Sequence, residues 1–534
     1  MNNAKSVQQL IKEAHDYALA GRVEAALDSY NEALAILISL ETILAGQGEG
    51  TQSVVMTANP ELQASAHSEK LTQARTLVAH EAVSLCITTG QAESAFQYLS
   101  ILKGRRLMMR LARSQSEDKF PKSDFHIVND GEPVIHVKEA GSQSIVAFIE
   151  FYYDDAQGDT HCLISIAEGG GVKSNWRRIF NQQQTLAVRN YLSKFLNFRV
   201  YEDRNTYLSS LFDLMKMGFG PLVDDLAAHK VAKVILIPHR FLHLLPWHGC
   251  ASPTNDKPLY ERIKIVTYAS NASFYERSAT ARYSDKMKSP TIAGCIDVEG
   301  LRTGWASSLV FAAHFSHHNP QMLLQSSKQA VLDALKDATF FLFEGHGITD
   351  FENYANSRLL AFDGYVTFKD LLTLDYPSSI FLAILNACET GVNPNFEDIQ
   401  DEYYGLDGAL LATGARHVIS TLWPVQDMAA FLMSFRLQKG ILMGEGWEPA
   451  TLLGSAATWL RTGDWRNDLN LIIKICDFSR LEQEVPLGFK DEVRLVGESF
   501  TKHLTALQPD AFAKQEHWSA WRCSGFGGNV KADS

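Results

Sequence analysis

Two apolar stretches end abruptly at small residues around one reactive side chain, "FLFEGHGITD" (Phe341–Asp350) and "FLAILNACETG" (Phe381–Gly391). Each begins like a buried strand, and the strands end near His346 and Cys388 respectively. The two residues are 42 positions apart (388 − 346), which leaves room for one strand–helix–strand crossover. Because the carboxyl ends of parallel strands meet at one edge of a sheet, the spacing predicts that the histidine and the cysteine lie together there.

More apolar runs of strand length surround these two stretches. They are "KVILIP", "IKIVTYA", "TIAGCID" and "ARHVISTLW", and amphipathic patterns such as "SKQAVLDALKD" and "YYGLDGALLATG" separate the runs. Apolar strands that alternate with amphipathic helices are typical of a mostly parallel sheet covered on both faces. The predicted fold class is therefore α/β, with this domain over residues 231–534.

The first 113 residues have a helical pattern. In "AGRVEAALDSYNEALAIL", Ala26, Tyr30 and Ala33 lie on one helical face, and Gly21 precedes it at a predicted tight turn. A similar pattern follows Gly90, which is 69 residues further on (90 − 21), close to twice a 34-residue period. Residues 1–113 resemble tetratricopeptide repeats, and a plain array of helical hairpins without a ligand groove remains the alternative.

Residues 114–230 are predicted to form a connecting segment. Residues 114–130 are polar and read as a linker. The runs "SIVAFIEFYYDD" and "THCLISIAE" flank a Gly-containing turn and predict a β-hairpin, and helical sequence follows from about Gln182 to Ala228.

Composition excludes several classes of function. The net charge is −12, which argues against a nucleic-acid-binding surface. The densest basic stretch, "KGRRLMMRLAR" (Lys103–Arg113), is interpreted as the solvated face of a helix. The absence of an 18-residue apolar run and of a signal-peptide core predicts a soluble cytoplasmic protein without membrane contact.

Metal and cofactor sites are not predicted. The seven cysteines include no CxxC pair, so neither a zinc site nor a disulfide framework is indicated. His314, His317 and His318 cluster in "HFSHHNP", but they have no acidic or cysteine partner at ligand spacing. No nucleotide-binding glycine motif is present, and we expect no cofactor.

The chemistry predicted for the two strand ends is that of a cysteine nucleophile with a histidine base. Such a site also needs two donors for the oxyanion that forms on the attacked carbonyl. The backbone amides of Gly347 and Cys388 are the candidate donors, and Gly345 and Gly347 allow close approach of a substrate. On spacing alone, a structural cysteine and a structural histidine remain the alternative.

The wider pattern resembles the CHAT family, the caspase- and separase-like cysteine peptidases of clan CD. "FEGHG" resembles the family's histidine motif and "LNACETG" its cysteine motif, and "LLATGARHVISTLWPVQDMAA" (Leu410–Ala430) resembles the run after the cysteine. "VILIPHRFLHLLPW" resembles the entry strand, "HWSAWRCSG" the closing strand, and "ILKGRRLMMRLA" the helix that joins tetratricopeptide repeats to CHAT domains.

The resemblance implies a cytoplasmic cysteine endopeptidase with a caspase-like fold. Cys388 would attack a peptide carbonyl and His346 would act as acid and base, with no third catalytic side chain. Family members of this build often work in bacterial defence or cell death, where a partner activates the peptidase, and here that partner would bind the repeat-like region. The main alternative is a non-catalytic scaffold, and a thiol hydrolase or transferase acting on non-peptide substrates is a third.

Acidic residues near the site receive different interpretations. Asp297 ends the run "TIAGCID" and is predicted to line the pocket for a basic substrate side chain, or else to cap a turn with Gly300. Glu344 and Asp350 are interpreted as solvated residues without a role. Acidic residues that remain alternative sources of pocket charge are Glu299, Asp363 and Asp398.

Overall fold

The computed structural model describes residues 5–46, 60–103, 145–168, 171–197, 204–271, 290–374, 380–393, 405–479 and 490–525. The predicted linker at 114–130 lies outside these ranges, as does all of the basic stretch after Lys103.

The helices in the described part of the N-terminal region are α1 (Val7–Leu19), α2 (Val23–Gly46), α3 (Pro60–Thr89) and α4 (Ala92–Leu102). Each helix packs against the next along the chain. Gly21 and Gly90 have φ angles of 72° and 75° and form the tight turns of the α1–α2 and α3–α4 pairs. The left-handed conformation there favours a residue without a Cβ, so the predicted turn role of Gly21 is confirmed.

The connecting segment forms strands and then helices. The strands are β1 (Val146–Tyr153), β2 (Thr160–Glu168) and β3 (Gly171–Phe180), and the helices are α5 (Gln182–Leu196), α6 (Arg204–Gly218) and α7 (Gly220–Ala228). β1 and β2 form the predicted antiparallel hairpin, and β2 pairs with β3 in the same way.

The remaining strands are β4 (Lys233–Ile237), β5 (Ala251–Ser252), β6 (Asn255–Pro258), β7 (Ile265–Tyr268), β8 (Ile292–Ile296), β9 (Gln321–Leu324), β10 (Phe340–Glu344), β11 (Gly347–Ile348), β12 (Arg358–Ala361), β13 (Gly364–Thr367), β14 (Leu382–Asn386), β15 (His417–Thr421) and β16 (Trp521–Gly525). The remaining helices are α8 (Leu259–Arg262), α9 (Gly304–Phe315), α10 (Lys328–Asp337), α11 (Phe368–Thr373), α12 (Leu406–Ala412), α13 (Asp427–Leu442), α14 (Pro449–Arg461), α15 (Leu469–Ile475), α16 (Lys490–Ala506) and α17 (Gln515–Trp518).

The strands of one large sheet run in the order β3-β2-β1-β4-β7-β16-β15-β14-β10-β8-β9. Neighbours are parallel except for the pairs β3–β2, β2–β1 and β15–β16. All six apolar runs quoted above are strands of this sheet, and the predicted mostly parallel α/β class with a preceding helical region is confirmed. β1 pairs directly with β4, so the sheet runs on from the connecting segment into the 231–534 region.

Both faces of the sheet are buried because successive strand residues point to opposite sides. In β10, Phe340 and Leu342 join a core that includes side chains of α9, α13 and α14. Phe341 and Phe343 join a second core on the other face, which includes side chains of α10, α11 and α12. The two cores hold the carboxyl ends of the central strands in place.

At Lys103, the described residue of the basic stretch, the interpretation as a solvated face is wrong. Its side chain is fully buried, and its Nζ donates hydrogen bonds to the carbonyl oxygens of Phe151 (2.8 Å) and Ile237 (3.1 Å). The residue that follows α4 therefore packs inside the sheet domain, against β1 and β4.

Candidate active site

His346 and Cys388 occupy equivalent positions on neighbouring strands. β10 and β14 are parallel, and their last register partners are Glu344 and Asn386. His346 follows Glu344 by two residues and Cys388 follows Asn386 by two residues. Both residues therefore lie at the carboxyl edge of the sheet, as the sequence spacing predicts.

The loops that carry the two residues are in contact. A Cβ added to Gly347 would collide with the carbonyl oxygen of Cys388 and would lie 3.1 Å from the Thr390 side chain. Only glycine allows this approach without a shift of the backbone. The hydroxyl of Thr349 also crosses between the loops and donates to the carbonyl oxygen of Glu389 at 2.9 Å.

His346 is half-buried, and a backbone group fixes its ring. Its Nε2 lies 3.1 Å from the carbonyl oxygen of Gly300. Because a carbonyl only accepts hydrogen bonds, Nε2 carries the proton in this contact and Nδ1 is the other ring nitrogen. Gly300 belongs to the loop after β8, the strand that neighbours β10 in the sheet. Sequence reasoning did not identify this partner of His346.

Cys388 differs from the other six cysteines in its exposure. Cys388 is half-buried and the others are buried. Burial raises the pKa of the thiols of Cys86, Cys162, Cys295, Cys476 and Cys523 to about 12 and raises that of Cys250 further. Those six thiols are small apolar core groups, as the sequence predicts for most of the cysteines.

Threonine hydroxyls shape the turn that follows β14. The Thr390 hydroxyl donates to the carbonyl oxygens of Leu385 (3.1 Å) and Ala387 (3.2 Å), and the Thr421 hydroxyl donates to that of Ala387 (2.6 Å). Glu389, directly after the cysteine, has a φ of 59°. A left-handed conformation is unusual for a glutamate and marks the backbone beside Cys388 as constrained.

A buried ion pair lies behind this turn. Asp407 and Arg522 are 0% and 1% exposed, and their side chains meet at 3.1 Å. The same carboxylate accepts hydrogen bonds from Ser420 (3.0 Å) and Ser524 (3.1 Å), and the Asp407 amide donates to the Thr390 carbonyl oxygen (3.2 Å). Sequence reasoning missed this pair, although an aspartate in the apolar run "GLDGALLA" is an available signal.

Asp297 caps a turn, one of the two roles considered for it, and it also lines a cavity. Its Oδ1 accepts a hydrogen bond from the Gly300 amide at 2.7 Å, so it caps the turn. It also lines a cavity of about 240 Å³ together with Glu299, Gly300 and Glu344. Neither His346 nor Cys388 is among the residues that line this cavity, but Gly300 joins the cavity to the histidine.

The other acidic residues lie in different surroundings. Glu344 is buried, which corrects its interpretation as solvated; it accepts a hydrogen bond from Ser434, and burial raises the pKa of its carboxyl. Asp350 is half-buried and caps its own loop through the Asn353 amide at 2.8 Å. Asp363 accepts from the Lys328 amide at 2.6 Å, and Asp398 lies outside the described residues.

Within the described ranges, no three His, Cys, Asp or Glu side chains are grouped so as to hold a metal ion. His314 is buried instead with its ring 5.3 Å from that of Phe435, whereas His317 and His318 are exposed. No helix in the part of the chain that the structure describes has the length and apolar character needed to cross a bilayer.

Comparison with known proteins agrees with this arrangement. The family model of the CHAT domain matches residues 209–526, which is more than half of the chain and includes both His346 and Cys388. No curated protein sequence matches the chain.

Solved structures align with this chain at low similarity. Two structures of the Saccharomyces cerevisiae separase–securin complex align with TM-scores of 0.45 and 0.43, at 12% and 10% identity, over 80% and 84% of this chain. This chain spans 36% and 38% of those separase chains. The Arg-specific cysteine proteinase gingipain R aligns with a TM-score of 0.36 at 9% identity, over 58% of this chain and 66% of its own.

The family match, with the mostly parallel sheet and the histidine and cysteine at its carboxyl edge, defines the class of the molecule. The chain belongs to the CHAT domain family, as the sequence motifs indicate.

Proposed function

We propose that this protein is a cysteine endopeptidase in which Cys388 is the nucleophile and His346 the acid and base. The observation that carries the proposal is the equivalent placement of the two residues, each two positions beyond the Glu344–Asn386 register pair. The half-buried state of Cys388 also supports it, because a nucleophile must be reachable by substrate.

In the proposed reaction, the Nε2–H group of His346 stays on the Gly300 carbonyl, so Nδ1 takes the proton of the Cys388 thiol. The thiolate attacks the peptide carbonyl carbon, and the amides of Gly347 and Cys388 stabilise the oxyanion. The protonated His346 then gives its proton to the leaving amine. A water molecule, deprotonated by His346, hydrolyses the thioester and releases the second product and the thiol.

The cavity beside the histidine is proposed to bind the side chain before the scissile bond. Asp297 and Glu299 line it, and none of the described residues that line it is basic. Glu344 lines it as well, but its carboxyl is bound to Ser434. A partly desolvated carboxylate attracts a cation and penalises an apolar or acidic guest. We therefore infer a preference for Arg or Lys at this substrate position, with Asp297 as the selecting residue.

The helical region is proposed to receive an activating partner, in a cytoplasmic defence or cell-death pathway. A reducing compartment would keep the Cys388 thiol available for catalysis. Leu19 and Leu77 are 89% and 53% exposed on this region, and each presents an apolar side chain to a partner protein. If the purified intact chain cleaves its substrate at full rate without any partner, this part of the proposal is wrong.

Alkylation with iodoacetamide tests the proposal and does not require a known substrate. A thiolate paired with a histidine reacts quickly at neutral pH, whereas a buried thiol does not. We expect Cys388 alone to be labelled at pH 7 in the native protein, at least 10-fold faster than in the His346→Ala variant. Labelling no faster than in the variant would favour the non-catalytic scaffold.

A further inference from the structure

Thr349 makes two hydrogen bonds between the loop that carries His346 and the loop that carries Cys388. Thr349 is three positions after His346, and Glu389 is one position after Cys388. The Thr349 hydroxyl donates to the Glu389 carbonyl oxygen at 2.9 Å, and the Thr349 amide donates to the Glu389 carboxylate at 3.4 Å. Thr349 is only 9% exposed, so water competes little for these bonds.

The acceptor of the shorter bond belongs to the constrained residue beside the cysteine. With a φ of 59°, Glu389 lies in the left-handed region that a non-glycine residue rarely adopts, so its surroundings must hold it there. Its carbonyl direction depends on that conformation, and Thr349 binds this carbonyl. The bond therefore acts on the backbone segment that orients Cys388.

The sheet alone does not fix the distance between the two reactive side chains. Register pairing of β10 and β14 ends at Glu344 and Asn386, before either reactive residue. The close approach of Gly347 to the Cys388 carbonyl sets how near the loops can come, but it is a steric limit and supplies no attraction. The Thr349 bonds supply a directional attraction across the same gap.

We propose that Thr349 is a positioning residue that holds His346 within proton-transfer distance of Cys388. It touches neither the substrate nor the reacting atoms in this role and acts through the backbone of Glu389. The inference rests on the proposed function. Proton transfer between a nucleophile and its base requires hydrogen-bond distance, and a displacement of about 1 Å costs on the order of 100-fold in rate.

Two substitutions separate the hydroxyl from the bulk of the side chain. Thr349→Val keeps the shape and removes the hydroxyl donor, whereas Thr349→Ser keeps the donor and removes a methyl group. Thr76→Val is the matched control, because Thr76 is also buried and its hydroxyl donates to a backbone carbonyl, that of Thr72, at 2.8 Å within α3.

The experiment measures the iodoacetamide alkylation rate of Cys388 against pH in the intact chain, with thermal unfolding of each variant. We expect the wild-type midpoint to lie below that of an ordinary cysteine, about 8.5. In Thr349→Val the midpoint rises by about one pH unit toward that of His346→Ala, and the rate at pH 7 falls about 10-fold. Thr349→Ser and Thr76→Val stay within about twofold of the wild type.

Three other results would contradict the proposed role of Thr349. A wild-type midpoint at that of an ordinary cysteine overturns both the proposed function and this inference. A lowered wild-type midpoint that Thr349→Val leaves in place overturns the inference alone. Equal losses in Thr349→Val and Thr349→Ser, accompanied by lower melting temperatures, also overturn it, because the residue would then act through packing.

Discussion

Lys103 and Glu150 form an ion pair at 3.6 Å in which neither side chain is more than 1% exposed. The pair joins the residue after α4 to β1, and the Lys103 ammonium also donates to carbonyl oxygens of β1 and β4. Burial raises the pKa of the Glu150 carboxyl to about 7, against the opposing effect of Lys103. Deletion of residues 1–113 would therefore disturb the sheet as well as remove the proposed partner-binding region.

Loss of one member of this pair is expected to destabilise the protein strongly. Lys103→Met leaves the Glu150 carboxyl buried without its cation, and we expect the free energy of unfolding to fall by about 3–5 kcal/mol at pH 8. The loss should shrink at pH 5, where Glu150 is neutral. The double variant Lys103→Met/Glu150→Leu should recover most of it, because both charges are removed. Urea unfolding measures this, and a Lys103→Met variant as stable as the wild type would contradict it.

The proposed nucleophile and base should behave as one unit. Cys388→Ala and His346→Ala should each lower proteolysis by at least about 1,000-fold, with melting temperatures unchanged. The double variant should be little worse than either single variant, because each change alone already disables the same step. The measurement is the rate of peptide cleavage by each purified variant.

Cys86→Ala is the control for this series. Cys86 lies on α3 and is fully buried, away from the proposed site, so its loss should affect stability alone. Full activity in Cys388→Ala or in His346→Ala would remove that residue from the mechanism.

The charge of Asp297 can be separated from its structural role. Asp297→Asn keeps an oxygen that can accept from the Gly300 amide, so the turn should stay intact. We expect this variant to lose about 10-fold in kcat/KM for substrates with Arg or Lys before the scissile bond, because the carboxylate no longer attracts the cation. Profiles from a peptide library measure the change. A preference for apolar or acidic residues in the wild type, or an unchanged basic preference in Asp297→Asn, would show that Asp297 does not select the substrate.

The buried His314 predicts a specific pH dependence of stability. Burial, assisted by the charge of Lys439, lowers the pKa of His314 to about 4. Between pH 6.5 and 4 the unfolded chain binds this proton and the folded protein does not, so the contribution of His314 to stability falls as pH falls. His314→Leu should remove about 3 kcal/mol of acid destabilisation over this range. Chemical unfolding of both proteins at pH 7 and pH 4.5 measures the difference, and parallel pH curves would contradict the assignment.

Local patterns in the sequence predict much of the fold and the central pair of the site. Apolar runs define the strands, the turn glycines Gly21 and Gly90 are placed by their spacing, and the ends of two neighbouring strands place His346 beside Cys388. These features depend on short segments, and the residues within each segment determine them.

Long-range contacts leave no comparable local signal. The Gly300 carbonyl that binds His346 belongs to another loop, and any residue has such a carbonyl. Lys103 begins a strongly basic stretch, and its burial is not evident from the sequence. The residues of β1 and β4 that bind it are 47 or more positions away (150 − 103). Thr349 and Glu389 resemble ordinary polar loop residues until the two loops are brought together.

The position of β16 has a consequence for the order of assembly during translation. This strand lies between β7 and β15, but it is made 100 residues after the end of β15 (521 − 421). At typical rates of synthesis, about 5–20 residues per second, the nascent chain waits on the order of 5–20 s with the edges of β7 and β15 open. Open strand edges favour misassembly, and chaperone cover during that interval would protect them. The sheet that carries His346 and Cys388 at its carboxyl edge would also stay incomplete on the ribosome until β16 is inserted.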